Sequence, residues 1–300
     1  MDVFITGATG YIGFNIATTF RRAGYRVYGL TRSEQKAQWL QQQEIIPVIG
    51  DMKDPDSYRE IASQSAVIIH AGIDYGDDTI AIDQTTVDTL TQICKEEESP
   101  QTFIYTSGCW MHGNTGCEPA DESTPINPID IVQWRPEIEQ QVLQGTNVNS
   151  LVLRPGCVYG KRGGMTGQWF EGAVNGTINV VGDGTNFWTM VHAEDLADAY
   201  LLAAESGRDG EVFDISDRSR YTVRQMAEAV AQCVEGDPEI NYIPTEEAAK
   251  NIGVTAEAMA IDQHIVSTKT ERQLGWKPNH RGFINDVQIY FDAWKAHQKD

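Results

Sequence analysis

Short apolar runs recur along the first half of the chain. Each is followed by a stretch whose apolar residues return every three or four positions. Val3-Phe4-Ile5-Thr6 reads as a buried strand, and Ile12, Ile16 and Phe20 then share one face of a helix. The pattern predicts further strands at Arg26–Leu30, Ile45–Ile49, Ala66–His70, Thr102–Tyr105 and Ser150–Leu153. Helical stretches near 55–63, 78–97 and 134–145 separate them, and Ser33 is placed to cap a helix running to about Gln43. Strands and helices alternating at this spacing build an α/β fold, a doubly wound parallel sheet with helices on both faces.

The pattern changes after Gly160. Residues 161–185 are rich in glycine and carry Trp169 and Phe170, and Glu194–Ser206 is an alanine-rich helix. A short strand at Val212-Phe213 and helices over 222–234 and 282–297 follow. Residues 1–160 are read as the sheet domain, with 186–207 also belonging to it. Residues 161–300 are read mostly as a smaller α/β lobe that binds substrate and interleaves with the first.

Charge narrows the partners. The net charge of −20 repels phosphate backbones and anionic lipid, so nucleic acid and membranes are disfavoured and a small-molecule substrate is expected. The five cysteines are scattered and include no C-x-x-C, which favours reduced thiols and argues against a disulfide framework or a metal site. The first strand begins at Asp2 or Val3, with no room before it for a targeting segment, and no apolar run approaches the ~20 residues of a membrane span. A cytoplasmic location is the expectation.

The first strand runs directly into Gly7-Ala8-Thr9-Gly10-Tyr11-Ile12-Gly13. Glycines at this spacing serve three ends: a tight turn, close approach of backbone to a pyrophosphate, and close packing of helix on strand. Free amides and the helix dipole then face the phosphates. Its position between a strand and a helix is the context that gives the pattern meaning. The sheet is therefore of the Rossmann type, and a dinucleotide is expected there.

The end of the second strand selects the dinucleotide. An NAD site carries an acid there to hold the adenosine ribose 2′-hydroxyl. Here the stretch reads Thr31-Arg32-Ser33, with no carboxylate to repel a 2′-phosphate. Arg32 can pair with that phosphate and Ser33 can donate to it, so NADP(H) is preferred and NAD(H) is the alternative. Asp51, followed by Met52, is placed to accept from the adenine amino group or to cap a helix.

Together these features resemble the extended short-chain dehydrogenase/reductase superfamily, in its epimerase/dehydratase-like branch. The resemblance runs through Gly7–Gly13, Gly50-Asp51, His70-Ala71-Gly72, Thr106-Ser107-Gly108, and Arg154-Pro155-Gly156 through Gly160. It continues in Gly182-Asp183-Gly184, Val191–Ala197 and Leu274–Pro278. It implies a cofactor across the carboxyl edge of the sheet, touching the first five of these segments. It also implies a substrate under the C-terminal lobe, and it admits a homodimer through two long helices.

The resemblance further implies a catalytic Tyr, a Lys four residues later, and an orienting Ser or Thr. All three are missing. No Tyr lies between Tyr105 and Tyr159, and no Lys between Lys95 and Lys161. Val132 falls near the Tyr position, Pro136 near the Lys position, and Gly108 where the Ser usually stands. Two side chains are candidate replacements. His112 is a candidate general acid near neutral pH, and Tyr159 lies beside Lys161 and Arg162, whose charges would lower its pKa. Each has a packing role as its alternative. Asp74, Tyr75, Trp110, Trp169, Trp188 and His192 are candidate walls of a substrate pocket, Trp169 and Trp188 having the lobe core as their alternative. Ser107 can bond substrate or cofactor, and Arg154 and Pro155 shape the loop beside the nicotinamide.

Three functions fit these residues. The first is an NADP(H)-dependent oxidoreductase on a small or medium carbonyl or alcohol, with a non-standard proton donor. The second is an epimerase, dehydratase or isomerase that retains its nucleotide. The third is a catalytically silent NAD(P) sensor.

Overall fold

A computed structural model of the chain describes residues 1–298. The first half folds as β1 (Asp2–Thr6), α1 (Tyr11–Arg22), β2 (Arg26–Thr31), α2 (Glu34–Gln42), β3 (Ile46–Ile49), α3 (Arg59–Ser63) and β4 (Val67–His70). It continues with α4 (Thr79–Glu96), β5 (Gln101–Thr106), α5 (Arg135–Leu143) and β6 (Val148–Pro155). There follow β7 (Cys157–Tyr159), α6 (Gly167–Val174), β8 (Thr177–Val181), β9 (Met190–His192), α7 (Ala193–Glu205) and β10 (Glu211–Ile215). The chain closes with α8 (Val223–Ala231), β11 (Glu239–Ile243), α9 (Thr245–Ile252), α10 (Thr255–Ala260), α11 (Thr268–Leu274) and α12 (Val287–His297).

The main sheet is parallel throughout, in the order β10-β6-β5-β4-β1-β2-β3. The chain leaves β1 toward β3 on one side, then returns to build β4, β5, β6 and β10 on the other. The carboxyl ends of β1 and β4 therefore meet at the switch point, where neighbouring connections diverge and leave a crevice.

Alternation of side chains along each strand feeds two cores. Val3 and Ile5 of β1 join Ile16 and Phe20 of α1 with Leu196 and Tyr200 of α7 on one face. Phe4 points the other way, into Ile68, Val87, Leu90 and Ile138. Burial on both faces explains why the strands read as continuous apolar runs rather than alternating ones. The Ser33 hydroxyl accepts from the Lys36 amide at the start of α2, a cap legible in the sequence.

One element departs from the sequence reading. Val212-Phe213, expected in the smaller lobe, lies within β10, which pairs with β6 from Glu211↔Leu151 to Ile215↔Pro155 as the edge of the main sheet. Helix α7 packs on α1 and shares its core. The smaller lobe is built from the paired β8 and β11 with α6, α8 and α12, around Phe170, Trp188, Phe283 and Trp294.

Candidate active site

The glycine turn sits at the switch point, where Gly7 is required by conformation and contact and Gly13 by contact. Gly7 has φ +69°, and a Cβ there would lie 2.5 Å from the Ala71 carbonyl oxygen. A Cβ on Gly13 would overlap the Gly7 carbonyl. The Gly10 amide donates to the Gly7 carbonyl at 2.8 Å and closes the turn. The floor between the turn and β4 is therefore backbone alone, which is what a pyrophosphate needs.

A buried polar chain holds that floor. The Thr6 hydroxyl and His70 Nδ1 are hydrogen-bonded at 2.6 Å, and the Gly72 amide donates to the same hydroxyl at 3.2 Å. His70 Nε2 lies 3.1 Å from Asp83, whose other oxygen accepts from the Tyr105 hydroxyl at 2.9 Å. Burial raises the pKa of Asp83, but its bonds to His70 and Tyr105 and the charge of Arg135 outweigh this and hold it below the usual carboxylate value. An ionised Asp83 fixes the proton of His70 on Nε2, so Nδ1 accepts from Thr6.

The lobe fastens onto the turn. The Tyr11 hydroxyl donates to the Gly160 carbonyl at 2.7 Å, and Arg162 donates to the Gly10 carbonyl at 3.1 Å. The Arg162 guanidinium lies over the rings of Phe14 and Trp39, at 5.5 and 5.0 Å, and those rings stack at 3.9 Å.

A cavity of about 360 Å³ opens beside the turn. Gly7, Thr9, Gly10, Tyr11 and Ile12 form its base, and Thr31, Arg32, Asp51 and Met52 form one wall. Ala71, Gly72, Asp74 and Tyr75 form the other. Gly13, Ser33 and His70 support this lining without being part of it. Tyr75 is 85% exposed, so it edges the mouth and does not wall an interior pocket. Lys36, on the first turn of α2, also lines the cavity. It was missed because a lysine on a polar helix face carries no motif.

The expectation that no carboxylate faces Arg32 is corrected. Arg32 Nη1 lies 3.2 Å from Asp74 and 3.9 Å from Asp51, and Lys53 Nζ lies 3.6 Å from Asp74. These acids come from the ends of β3 and β4, which the sequence separates from Arg32 and the sheet brings together.

Both proposed proton donors are corrected. The His112 side chain is wholly buried, with Nε2 2.8 Å from Asp214 at the far end of the sheet, in β10. The Tyr159 hydroxyl donates to Asp217 at 2.9 Å inside the lobe core. Burial and the Asp217 charge drive its pKa strongly upward, opposite to the lowering expected from Lys161 and Arg162. Lys161 instead pairs with Glu194.

Trp169, Trp188 and His192 take the packing alternative, and none of them, nor Trp110 or Arg154, lines the cavity. Trp169 and Trp188 stack on each other at 5.0 Å in the lobe core. Arg154 is buried and binds Glu139 through Nε and Nη2, so it does not reach a ligand. Gly156, following Pro155, gives room to the Thr189 carbonyl, 2.6 Å from where a Cβ would be. His192 is buried and stacks on His280 at 3.4 Å. Trp110 packs with Ile129, Val132, Ala258 and Ile261, which makes the expected Tyr position an apolar cluster under α10.

His192, Glu194 and His280 bring ligand-type atoms within 4.8 Å of one another. His280 Nε2 lies 3.3 Å from Glu194, and the remaining contacts tie the group to its surroundings. His192 Nδ1 accepts from the Glu194 amide, His280 Nδ1 bonds Asp195, and Glu194 holds Lys161. They form a charge network between α7 and the C-terminal segment.

At the end of β5 the Tyr200 hydroxyl donates to Thr106 Oγ1 at 2.7 Å, and Arg135 Nη1 donates to the Thr106 carbonyl at 3.1 Å. A cation therefore does stand one residue from the expected Lys position. It was missed because the motif sought was a lysine. Gly108 leads into the turn at Cys109–His112.

No helix among the described residues is long and apolar enough to cross a membrane. An uncharacterized protein of Schizosaccharomyces pombe is 26% identical over 295 residues, covering 96% of this chain and 98% of that protein. A sterol-4-alpha-carboxylate 3-dehydrogenase, decarboxylating, of Dictyostelium discoideum is 26% identical over 252 residues, 75% of this chain and 74% of that protein. The structure of dTDP-glucose 4,6-dehydratase from Bacillus anthracis in complex with NAD superposes with a TM-score of 0.81 at 18% identity, covering 100% of this chain and 98% of that one. A family model described as the NAD dependent epimerase/dehydratase family matches residues 3–216. That match starts in the first strand of the main sheet and runs just past its last, so the chain belongs to the NAD-dependent epimerase/dehydratase family.

Proposed function

We propose that the protein is an NADP(H)-dependent oxidoreductase acting on a small or medium carbonyl or alcohol without a phenolic proton donor. The observation that carries this reading is the end of β2. Thr31 stands where an NAD site carries its acid, while Arg32 and Lys36 face the same cavity, with Asp51 and Asp74 beside Arg32 as exchangeable partners. A pyrophosphate suits the turn, because Gly7, Gly10 and Gly13 carry no Cβ to stand over its backbone. Bound there, a nicotinamide nucleotide supplies hydride exchange with carbon. The chain's own part is to bind the phosphates on the turn, to hold Ala71-Gly72 through Thr6 and His70, and to present Thr106, Ser107 and Arg135 at the next strand end. With His112 and Tyr159 buried in hydrogen bonds to Asp214 and Asp217, solvent is the proton source this arrangement favours. The D. discoideum dehydrogenase, by its name, supports an oxidoreductase.

The test is titration with NADPH and NADH followed by nucleotide fluorescence, then deuterium transfer from labelled NADPH across a panel of carbonyls. Tighter NADPH binding and transfer to one class of carbonyl support the reading. Equal affinities would remove the NADP(H) preference, and no transfer would remove the oxidoreductase.

One observation favours the retained-nucleotide reading. Tyr11 and Arg162 tie the lobe to the glycine turn and would slow nucleotide exchange. Nucleotide released only on denaturing the purified protein, with substrate converted at constant absorbance at ~340 nm, supports an epimerase or dehydratase instead.

A further inference from the structure

The end of β5 carries a positive charge that makes no direct ion pair among the described residues, although the buried Asp83 lies close enough to feel it. Arg135 is half-buried at the first position of α5, where unpaired amides already make the potential positive. No side chain caps this helix. The usual partner for Arg135 would be Glu139, one turn on. Both oxygens of Glu139 are instead taken by Arg154, with Nε at 3.0 Å. Among the described residues Arg135 makes no ion pair, and its Nε is buried without an acceptor. Nη1 is held by the Thr106 carbonyl, and the Trp134 ring lies 5.0 Å from the guanidinium carbon, which fixes its direction.

A second group beside it points the same way. Ser107 follows that carbonyl, is 6% exposed, and has a buried hydroxyl with no partner. Asp83 faces Arg135 from α4, but its oxygens are engaged by His70 and Tyr105. The neighbouring Ile131, Val132 and Trp110 form an apolar cluster that lowers the local dielectric. In the sheet β5 lies beside β4, whose end walls the nucleotide cavity. A ligand at Arg135 would therefore be next to a nucleotide crossing from β1 over β4.

We propose that Arg135 and the N-terminus of α5 bind a carboxylate, so that the substrate is a carbonyl compound or alcohol bearing one. The word substrate rests on the oxidoreductase reading, whereas carboxylate binding does not. A guanidinium with free donors in a poorly solvated setting matches carboxylate geometry and charge.

Titration with oxamate, followed by tryptophan fluorescence, tests this, because Trp134 stacks on the guanidinium. Saturable quenching is expected in the parent protein, with oxamide, the neutral isostere, giving none. Arg135→Gln should weaken oxamate binding by about tenfold or more, and Arg135→Lys by only about threefold. Ser107→Ala should weaken it by about threefold. Urea unfolding and far-ultraviolet circular dichroism close to the parent's should show that all three fold. Equal quenching by oxamide, or an unchanged oxamate curve in Arg135→Gln, would overturn the proposal. Failure of the parent to bind NADPH would overturn the oxidoreductase reading and leave the oxamate result to judge carboxylate binding alone.

Discussion

Arg32 and Asp74 face each other across the mouth of the nucleotide cavity, with Nη1 3.2 Å from the carboxylate. Arg32 is well exposed, so solvent screens the pair and its worth is at most about 1 kcal/mol. A 2′-phosphate would carry more charge than Asp74 and would take the guanidinium from it. Asp74→Asn should therefore tighten NADPH by roughly fivefold, and Arg32→Ala should weaken it about tenfold, with NADH nearly unchanged in both. Nucleotide fluorescence titrations measure all four constants. Parallel changes in NADPH and NADH would show that Arg32 does not read the phosphate.

Gly7→Ala tests the turn itself. A Cβ at φ +69° costs about 1–2 kcal/mol in strain, before its overlap with the Ala71 carbonyl is counted. We expect at least about 2 kcal/mol of destabilisation in urea unfolding and loss of nucleotide binding in the folded fraction. Gly24 also has positive φ, but nothing lies near its missing Cβ. Gly24→Ala should show the strain without the binding loss.

The two buried pairs behave as structure, and their variants should separate stability from turnover. His112→Ala leaves Asp214 buried without its partner and should cost about 3–5 kcal/mol. Tyr159→Phe removes one bond to Asp217 and should cost about 1–3 kcal/mol. Turnover per folded Tyr159→Phe molecule should match the parent. A large fall in kcat at unchanged stability would restore Tyr159 to the chemistry.

His192 should give the protein an acid-sensitive window. Burial, then the nearby His280, push its pKa from 6.5 down to about 4. Between these values the unfolded chain binds a proton that the folded chain refuses. Stability is therefore lost as pH falls from about 6.5 to about 4, by up to about 3 kcal/mol. His280 runs the other way. Burial opposes its charge, but Asp195 and Glu194 outweigh burial and raise its pKa. Its contribution is present below about 6.5 and is lost as pH rises through the raised value. Urea midpoints between pH 4 and 7 should rise in the parent and flatten in His192→Asn. An identical slope in the variant would assign the window to other groups. Asp83 and Asp195 have lowered pKa values, so they lose their contribution only at still lower pH.

Local pattern carried most of the fold and half of the site. β1, β4 and β5 announce themselves because burial on both faces leaves no polar residue in their centres. β10 showed only as Val212-Phe213, because Glu211 and Asp214 bound its apolar run, and only its pairing with β6 makes it a strand of the main sheet. The glycine turn was legible because its spacing follows from backbone contact within seven consecutive residues. The absence of the Tyr and Lys was legible too, since no such residues occur between positions 106 and 158.

Tertiary structure alone decided which charges are spent and which remain. Arg32 meets Asp74, Arg154 takes Glu139 from Arg135, and Arg162 reaches the Gly10 carbonyl across 152 positions. It also decided that His112 and Tyr159 lie inside rather than at the cavity. Secondary structure and the glycine turn depend on neighbours in sequence, so the sequence by itself determines them. Pairing of charges depends on which strand ends adjoin, and that order exists only once the sheet has formed.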